Sequence, residues 1–256
     1  LWALDLQYGG ASIFSAASAT AVQVVGALRN SPPNRELLLA ASHLCRVAGW
    51  SAFDAGRKRT FWKYHATALD LAREANDRNT VVTMVNVAGR AEILSGNHRA
   101  GAKLFELVSF RKPPDAVGWG LLGSAYAPNS PESAKSALLR LRDAEGADTL
   151  DATAMLGHVS NDVSDYSTAI AAFSEVVPRR SGRLALQETA PLAIAYLRVG
   201  EGSMGLHHAE NALKLSENVR SSKCTDVLRP LGDVLAAQKD STAQDLARRI
   251  SVTTMA

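Results

Sequence analysis

The sequence predicts an all-α protein: a right-handed α-solenoid of about five helical hairpins, with further helices capping its N- and C-terminal ends. Apolar residues recur at helical spacing in paired segments, a small residue recurs once in each pair, and a turn-forming residue follows it at a constant distance. With 256 residues, of which 46% are hydrophobic, the chain can bury a sizeable core.

The period of the small residue is the most informative feature. It lies at corresponding places 40, 34, 34 and 36 residues apart, at Gly49, Gly89, Gly123, Gly157 and Ala193. A glycine inside a helix costs about 1 kcal/mol relative to alanine, so its recurrence indicates that a second helix packs closely there. The interhelix turns lie seven residues further on, at Gly56, Gly96, Ser130, Ser164 and Gly200. A period of about 34 residues is typical of tetratricopeptide repeats (TPR).

The predicted elements follow in order along a single TPR solenoid over residues 1–256. An N-terminal helix over 11–30 is rich in small and branched residues and is suited to covering the first repeat. The third repeat departs from the pattern, because its second helix fits only if one residue is deleted. A capping hairpin over 221–251 closes the stack. Five TPR-like hairpins over 35–217 lie between, with helices at 35–55 and 59–75, 79–95 and 98–110, 116–127 and 131–145, 149–160 and 165–177, and 184–199 and 203–217.

Two stretches carry a more specific resemblance. Residues 48–78, AGWSAFDAGRKRTFWKYHATALDLAREANDR, and 188–222, ETAPLAIAYLRVGEGSMGLHHAENALKLSENVRSS, resemble the C-terminal TPR region of actinobacterial helix-turn-helix transcriptional regulators of the Xre type. Tyr8-Gly9-Gly10 resembles the start of that region. The resemblance implies a DNA-binding domain upstream that is absent from this chain. Phe61 and His65 depart from the usual repeat, which places alanine and a large aromatic residue there.

The first helix of each pair lines the concave surface of such a solenoid, so the repeat register selects candidate ligand-binding residues. Arg46, Asn86 and Arg90 could hold a carboxylate or a peptide backbone, while Trp50 and Phe53 supply apolar area. Trp50 is equally compatible with the core between repeats, and a single arginine is more often a solvated residue. The complete set is His43, Arg46, Trp50, Phe53, Thr83, Asn86, Arg90, Ser124, His158, Asn161 and Arg198.

No catalytic arrangement emerges from the sequence. His207 and His208 are adjacent and point about 100° apart on a helix, so they cannot face one metal ion. Gly118, Gly120 and Gly123 match a phosphate-binding pattern, but they lie inside a predicted helix and do not follow a strand. We therefore predict no enzymatic activity, no cofactor and no metal site.

These observations predict the sensing domain of a transcriptional regulator, which binds a peptide, a small signalling molecule or a protein segment in its concave groove. DNA would be bound only through the absent domain, since a formal charge of +3 with dispersed arginines gives weak attraction. The alternative is a TPR adaptor that mediates protein–protein interaction and has no DNA-binding role. Apolar residues on the terminal helices, at 12–28 and 227–250, predict a homodimer.

The sequence also predicts a cytoplasmic location. Cys45 and Cys224 lie far apart in predicted helices, so a disulfide framework has no support and a reducing compartment is expected. No signal peptide is visible, and no apolar run approaches the roughly 20 residues that cross a membrane. We therefore expect no membrane partner.

Overall fold

A computed structural model of the chain describes residues 8–28, 34–109, 113–219 and 221–255. Regular structure in these ranges is helical throughout, with thirteen α-helices and one short 3₁₀ segment, so the all-α prediction is confirmed for them. The first helix, α1, spans Gly10–Leu28, and the remaining helices pack as consecutive pairs. These pairs are α2 (Arg35–Asp54) with α3 (Lys58–Glu74), α4 (Arg78–Leu94) with α5 (His98–Ser109), α6 (Ala116–Tyr126) with α7 (Pro131–Asp143), α8 (Leu150–Asp162) with α9 (Tyr166–Val176), α10 (Gly182–Arg198) with α11 (Gly202–Ser216), and α12 (Ser222–Ala236) with α13 (Ser241–Met255).

Helix starts are fixed by side-chain caps that the sequence provides. Asn34 accepts hydrogen bonds from the amides of Glu36 and Leu37 at the start of α2. Asp77 and Asp115 do the same at α4 and α6, each through one amide at 2.8 Å. Such caps satisfy backbone donors that a helix leaves without a partner and contribute about 0.5–2 kcal/mol each. The helix bounds between 35 and 217 therefore lie within two residues of the predicted ones wherever the structure describes them.

The turns inside the pairs also follow the sequence pattern. Gly56, Gly96, Ser164 and Gly200 all have positive φ, between 63° and 87°. Glycine takes this left-handed conformation without steric cost, which ends a helix and reverses the chain within a few residues. Ser130, the fifth predicted turn residue, has an extended φ of −154° and is the residue before α7.

The recurring small residues lie where two helices approach. An added Cβ at Gly89 or Gly157 would come within 3.0 or 2.8 Å of the Phe105 or Phe173 ring on the second helix of the same pair. Gly123 differs, because its neighbour is Val159 of α8 in the next pair, at 2.8 Å. The third pair therefore departs from the others by more than the deletion that the sequence suggested.

Apolar clusters connect helices that are neighbours along the chain. One cluster joins α1 to α4 and includes Ala17, Leu38 and Met84, and another joins α10 to α13 and includes Leu186, Leu231 and Leu246. Smaller clusters link the pairs between them. Among the residues that the structure describes, no apolar cluster contains residues of both α1–α4 and α10–α13.

A buried carboxylate joins these two ends of the helix array. Asp54, the last residue of α2, is fully buried and accepts hydrogen bonds from the Gly10 amide at 2.5 Å and the Ser221 hydroxyl at 2.6 Å. The Arg183 guanidinium at the start of α10, itself buried, lies 3.3 Å from the same carboxylate. We refer to these four residues as the Asp54 junction. The ends of α1, α2, α10 and α12 meet there.

Helix α1 passes a length and composition test for a membrane span, with a mean hydropathy of 1.5 over 18 residues, as the single such helix among the described residues. The expectation that no apolar run approaches this length is therefore wrong for α1 by that criterion. In the structure, Ile13, Ala17 and Ala21 are buried and α1 packs against α2. The core helix of a soluble protein and a signal sequence near the N-terminus pass the same test.

The close approach at Gly157 gives a first prediction. Gly157→Ala places a Cβ 2.8 Å from the Phe173 ring, so we expect the free energy of unfolding to fall by about 1–3 kcal/mol. Gly26 in α1 is the matched control, because no atom lies within 4 Å of its added Cβ. Gly26→Ala should leave stability unchanged or raise it by up to about 1 kcal/mol. Urea denaturation of both variants measures the difference, and a Gly157→Ala protein as stable as the wild type would contradict the packing.

Candidate functional site

The predicted site residues of α2 and α4 lie on neighbouring helices. The Arg90 guanidinium sits over the Trp50 ring, 5.2 Å from its centre, in a cation–π contact between α4 and α2. Burial and the nearby Arg46 lower the pKa of His43, while Asp77 opposes this shift. Burial likewise lowers the pKa of the Arg46 guanidinium. The register therefore brings His43, Arg46, Trp50 and Arg90 into one region.

The two aromatic residues of this group belong to a packed aromatic cluster. Trp50 and Phe53 stack at 5.4 Å, and both contact Phe61 edge to face, at 6.3 and 5.3 Å. Their exposed fractions are only 7% and 5%. The bulky Phe61, at the place where the repeat usually has alanine, fills the space between the two helices of the pair. Trp50 and Phe53 thus offer little surface area to a ligand in this conformation.

Thr83 and Asn86 line a cavity of about 1000 Å³ between α4, the end of α5 and the start of α6. Phe105 and Val108 supply apolar area there. The Asn86 carboxamide oxygen is buried without a hydrogen-bond partner in the structure. A buried polar atom without a partner costs free energy, so this oxygen is suited to accepting a hydrogen bond from a ligand or a water molecule.

Ser124 and His158 occupy separate positions further along the chain. The Ser124 hydroxyl lies within hydrogen-bonding reach of the Asp162 carboxylate. His158 packs edge to face on Phe173, with ring centres 5.0 Å apart. Both residues are half-buried. These contacts hold α6 to α8 and α8 to α9.

Asn161 and Arg198, in contrast, line one cavity of about 380 Å³ between α8, α10 and α12, which we refer to as the α8/α10/α12 cavity. The Asn161 carboxamide oxygen is buried without a hydrogen-bond partner, and Arg198 is exposed. Tyr166, Gln238 and the acidic Asp233 add further polar groups, while Ile194, Pro230 and Val234 add apolar ones. The arrangement offers a cation, an acceptor and an apolar wall to one small group.

The sequence prediction also missed two charged residues, the buried Glu188 in α10 and the half-buried Arg180 just before it. Arg180 pairs with Asp151 of α8 and lies 3.5 Å from Glu188, whose second carboxylate oxygen is buried without a partner. Glu188 is 3% exposed. Burial raises its pKa to about 7, with Arg180 opposing the shift and Asp151 adding to it.

The Asp54 junction also escaped the sequence prediction, although two signals were present. Asp54 stands at the C-terminal end of α2, where the helix dipole disfavours an anion. Gly9 and Gly10 are consecutive glycines, and a Cβ at Gly10 would lie 2.7 Å from the Asp54 Cβ. An aspartate at the C-terminal end of a helix and a pair of glycines both indicate a close polar contact. Neither identifies Arg183 or Ser221 as a partner of Asp54.

Three of the residues that the sequence offered for metal binding, phosphate binding or nucleophilic chemistry lie in packed positions. Within the ranges that the structure describes, no group of three His, Cys, Asp or Glu residues could hold a metal ion. His208 stacks on Tyr196 at 5.4 Å, which gives it a packing role. Gly120, one of the three glycines of the phosphate-binding pattern, lies inside α6 against Met155. Cys45 is a buried free thiol whose pKa burial raises to about 11, so it is a poor nucleophile.

Comparison with known proteins adds no relative: no protein-family model matches the sequence, and no curated protein is similar enough in sequence to count as a match.

The raised pKa of Glu188 gives a second prediction. The folded chain binds this proton more tightly than the unfolded chain, whose carboxyl has its ordinary pKa of 4.5. The stabilising contribution is therefore complete below about pH 4.5 and is lost as the pH rises through about 7. Glu188→Gln stays neutral, so its stability relative to the wild type should grow by on the order of 2–3 kcal/mol between pH 5 and pH 7.5.

Chemical denaturation at both pH values measures this difference. Glu175→Gln is the matched control, because Glu175 is 60% exposed and pairs with Arg179 on the surface. Its stability relative to the wild type should not change with pH in this range. A pH-independent difference for Glu188→Gln would show that Glu188 is ionised in the folded protein throughout.

Proposed function

We propose that this chain is the sensing domain of a cytoplasmic transcriptional regulator, and that its helix pairs form a right-handed TPR superhelix with a ligand-binding groove. The resemblance of residues 48–78 and 188–222 to Xre-type regulators supports the class of protein. The positive-φ turns and the close approaches at Gly49, Gly89 and Gly157 support the repeat assignment. DNA would be bound through a domain outside this chain.

The observation that carries the proposal is the α8/α10/α12 cavity. Two residues selected only by repeat register, Asn161 and Arg198, lie 37 positions apart in the sequence and line the same cavity. Arg198 would hold a carboxylate, and the Asn161 oxygen would accept a hydrogen bond from an amide or amine. The apolar residues Ile194 and Val234 beside them suit an amphipathic ligand such as a short peptide or a small signalling molecule.

Binding tests follow from this geometry. Short peptides and small amphipathic carboxylates, screened by thermal shift, should include compounds that raise the melting temperature of the wild type. Arg198→Ala and Asn161→Ala should each weaken the binding of such a compound by about 1–3 kcal/mol in calorimetry, because a charged or buried hydrogen bond is lost. Neither variant should lose helix content, since Arg198 lies on the surface.

Arg99→Ala is the control for this test, since Arg99 is an exposed arginine of α5 outside the α8/α10/α12 cavity. It should bind with wild-type affinity. Equal affinity in the wild type, Arg198→Ala and Asn161→Ala would place the binding site elsewhere. Binding of partner proteins alone, with no effect on a DNA-bound regulator, would favour the adaptor.

We also propose that the chain forms a homodimer through its terminal helices. Val22 of α1 is 62% exposed and Val252 of α13 is 72% exposed. A groove of about 700 Å³ runs between α12 and α13 and is lined by small residues such as Gly232, Ala236 and Ala247. In a stack of helix pairs, the exposed side of a terminal pair is the place where a further helix can pack.

Light scattering over a concentration series tests the dimer. The expected mass is about 54 kDa, twice the 27.2 kDa of the chain. Val252→Asp should shift the equilibrium towards monomer, because it places a charge on the apolar surface. A mass of one chain at every concentration up to about 100 μM, which exceeds ordinary protein-complex dissociation constants, would contradict the proposal.

A further inference from the structure

The Asp54 junction closes the array of helix pairs on itself. Asp54 belongs to the first pair, Arg183 to the fifth, and Ser221 precedes the sixth, so residues 129 and 167 positions apart meet at one carboxylate. Gly10 brings the start of α1 to the same place. Four helix ends therefore meet at one buried carboxylate, and the contacts of Gly10, Arg183 and Ser221 with it are polar.

This closure differs from the contacts between successive helix pairs because no apolar cluster of the described chain accompanies it. Successive pairs share apolar clusters, whereas in the described chain no apolar cluster spans α1–α4 and α10–α13. An ion pair that is removed from water gains less than its Coulomb attraction suggests, because both ions lose their hydration. Opening the junction would return Asp54 and Arg183 to water and leave both large apolar clusters intact.

The surroundings of the junction leave room for such a movement. A cavity of about 710 Å³ lies between Tyr8 and helices α10 and α11, lined by residues such as Ala185, Thr189 and Asn211. Tyr8 is 44% exposed beside it. Gly10, at the start of α1, is thus connected to α10 through the Asp54 carboxylate, and an open cavity lies beside this connection in the part of the chain that the structure describes.

We propose that the Asp54 junction is a conformational latch. In the closed state, Asp54 holds α1 and the first helix pair against α10 and α12; in the open state, these two ends separate while each keeps its own apolar core. The counter-charge of Arg183 and the missing side chain of Gly10 are the two features that permit closure. A Cβ at residue 10 would lie 2.7 Å from the Asp54 Cβ and 2.9 Å from the Ser51 Cα.

The latch would regulate the site proposed above, because α10 and α12 contribute both to the Asp54 junction and to the α8/α10/α12 cavity. Arg183 lies at the start of α10 and Arg198 at its end. This consequence rests on the proposed function. The opening itself does not, and it can be measured without a ligand, so failure of one leaves the other intact.

Small-angle X-ray scattering and hydrogen exchange of the whole chain test the latch. Asp54→Asn removes the charge that Arg183 faces and one of the acceptors for Gly10 and Ser221. Arg183→Met removes the counter-charge and keeps an apolar stem of similar length. Both variants should show a larger radius of gyration than the wild type, with unchanged helix content by circular dichroism. Amide exchange in α1 and α12 should be roughly tenfold faster or more, while exchange in α8 and α9 stays unchanged.

Two further variants sharpen the test. Ser221→Ala removes one hydrogen bond and should give a smaller increase in exchange than Arg183→Met. Asp70→Asn is the matched control, since Asp70 is an exposed aspartate of α3 that pairs with Arg73 at 3.8 Å, and it should behave as the wild type. An unchanged radius of gyration in both Asp54→Asn and Arg183→Met would overturn the latch. Loss of helix content across the whole chain would also overturn it, because the junction would then belong to one cooperative core.

Discussion

The buried carboxylate of Asp54 is the contact that joins the two ends of the described helix array. A helical hairpin packs only on its neighbours, so the curvature of an array accumulates from many small rotations between pairs. In this chain Arg183 of the fifth pair and Ser221, which precedes the sixth, reach Asp54 of the first pair. The position of an anion at the C-terminal end of α2 is unfavourable by itself. The Gly10 amide, the Ser221 hydroxyl and the Arg183 guanidinium donate to this carboxylate and compensate for its unfavourable position.

Within the pairs, close approach of two helices is the repeated constraint. Where the first helix carries glycine, at Gly89 and Gly157, the second helix places a phenylalanine ring in the space. The first pair solves the same problem differently, with Phe61 packed among Trp50 and Phe53. Because Phe61 stands where the repeat usually has alanine, the predicted groove residues Trp50 and Phe53 belong to a buried aromatic cluster. His43, another predicted site residue of α2, is exposed.

Local features were predictable from the sequence because they depend on neighbouring residues. Helix periodicity, capping side chains such as Asp77 and turn glycines such as Gly96 fix the helix bounds. Contacts between distant parts of the chain were not predictable in the same way. Nothing in the repeat pattern indicates that Arg183 and Asp54 are close, since the curvature that joins them depends on every pair in between. Gly123 contacts Val159 of α8 and not its own partner helix, and this contact also depends on how successive pairs pack.

The candidate site likewise combines residues that the repeat register predicts with residues that it does not predict. Asn161 and Arg198, which the repeat register selects on two different helices, line one cavity. The third wall of that cavity, with Pro230 and Gln238, comes from the capping hairpin, which lies outside the repeat pattern and was not predicted to contribute.

Helix α10 connects the three charged environments of the C-terminal half. It holds Arg183 in the Asp54 junction near its start, buries Glu188 against Arg180 in its middle, and presents Arg198 to solvent at its end. This helix of 17 residues contains Pro191, which removes one backbone hydrogen bond and favours a bend between Glu188 and Arg198. A ligand held by Arg198, as we propose, would therefore act on the helix that also carries Arg183. Binding and closure share α10, so a preference of the ligand for one arrangement of α10 would shift the equilibrium at Asp54 by the same free energy.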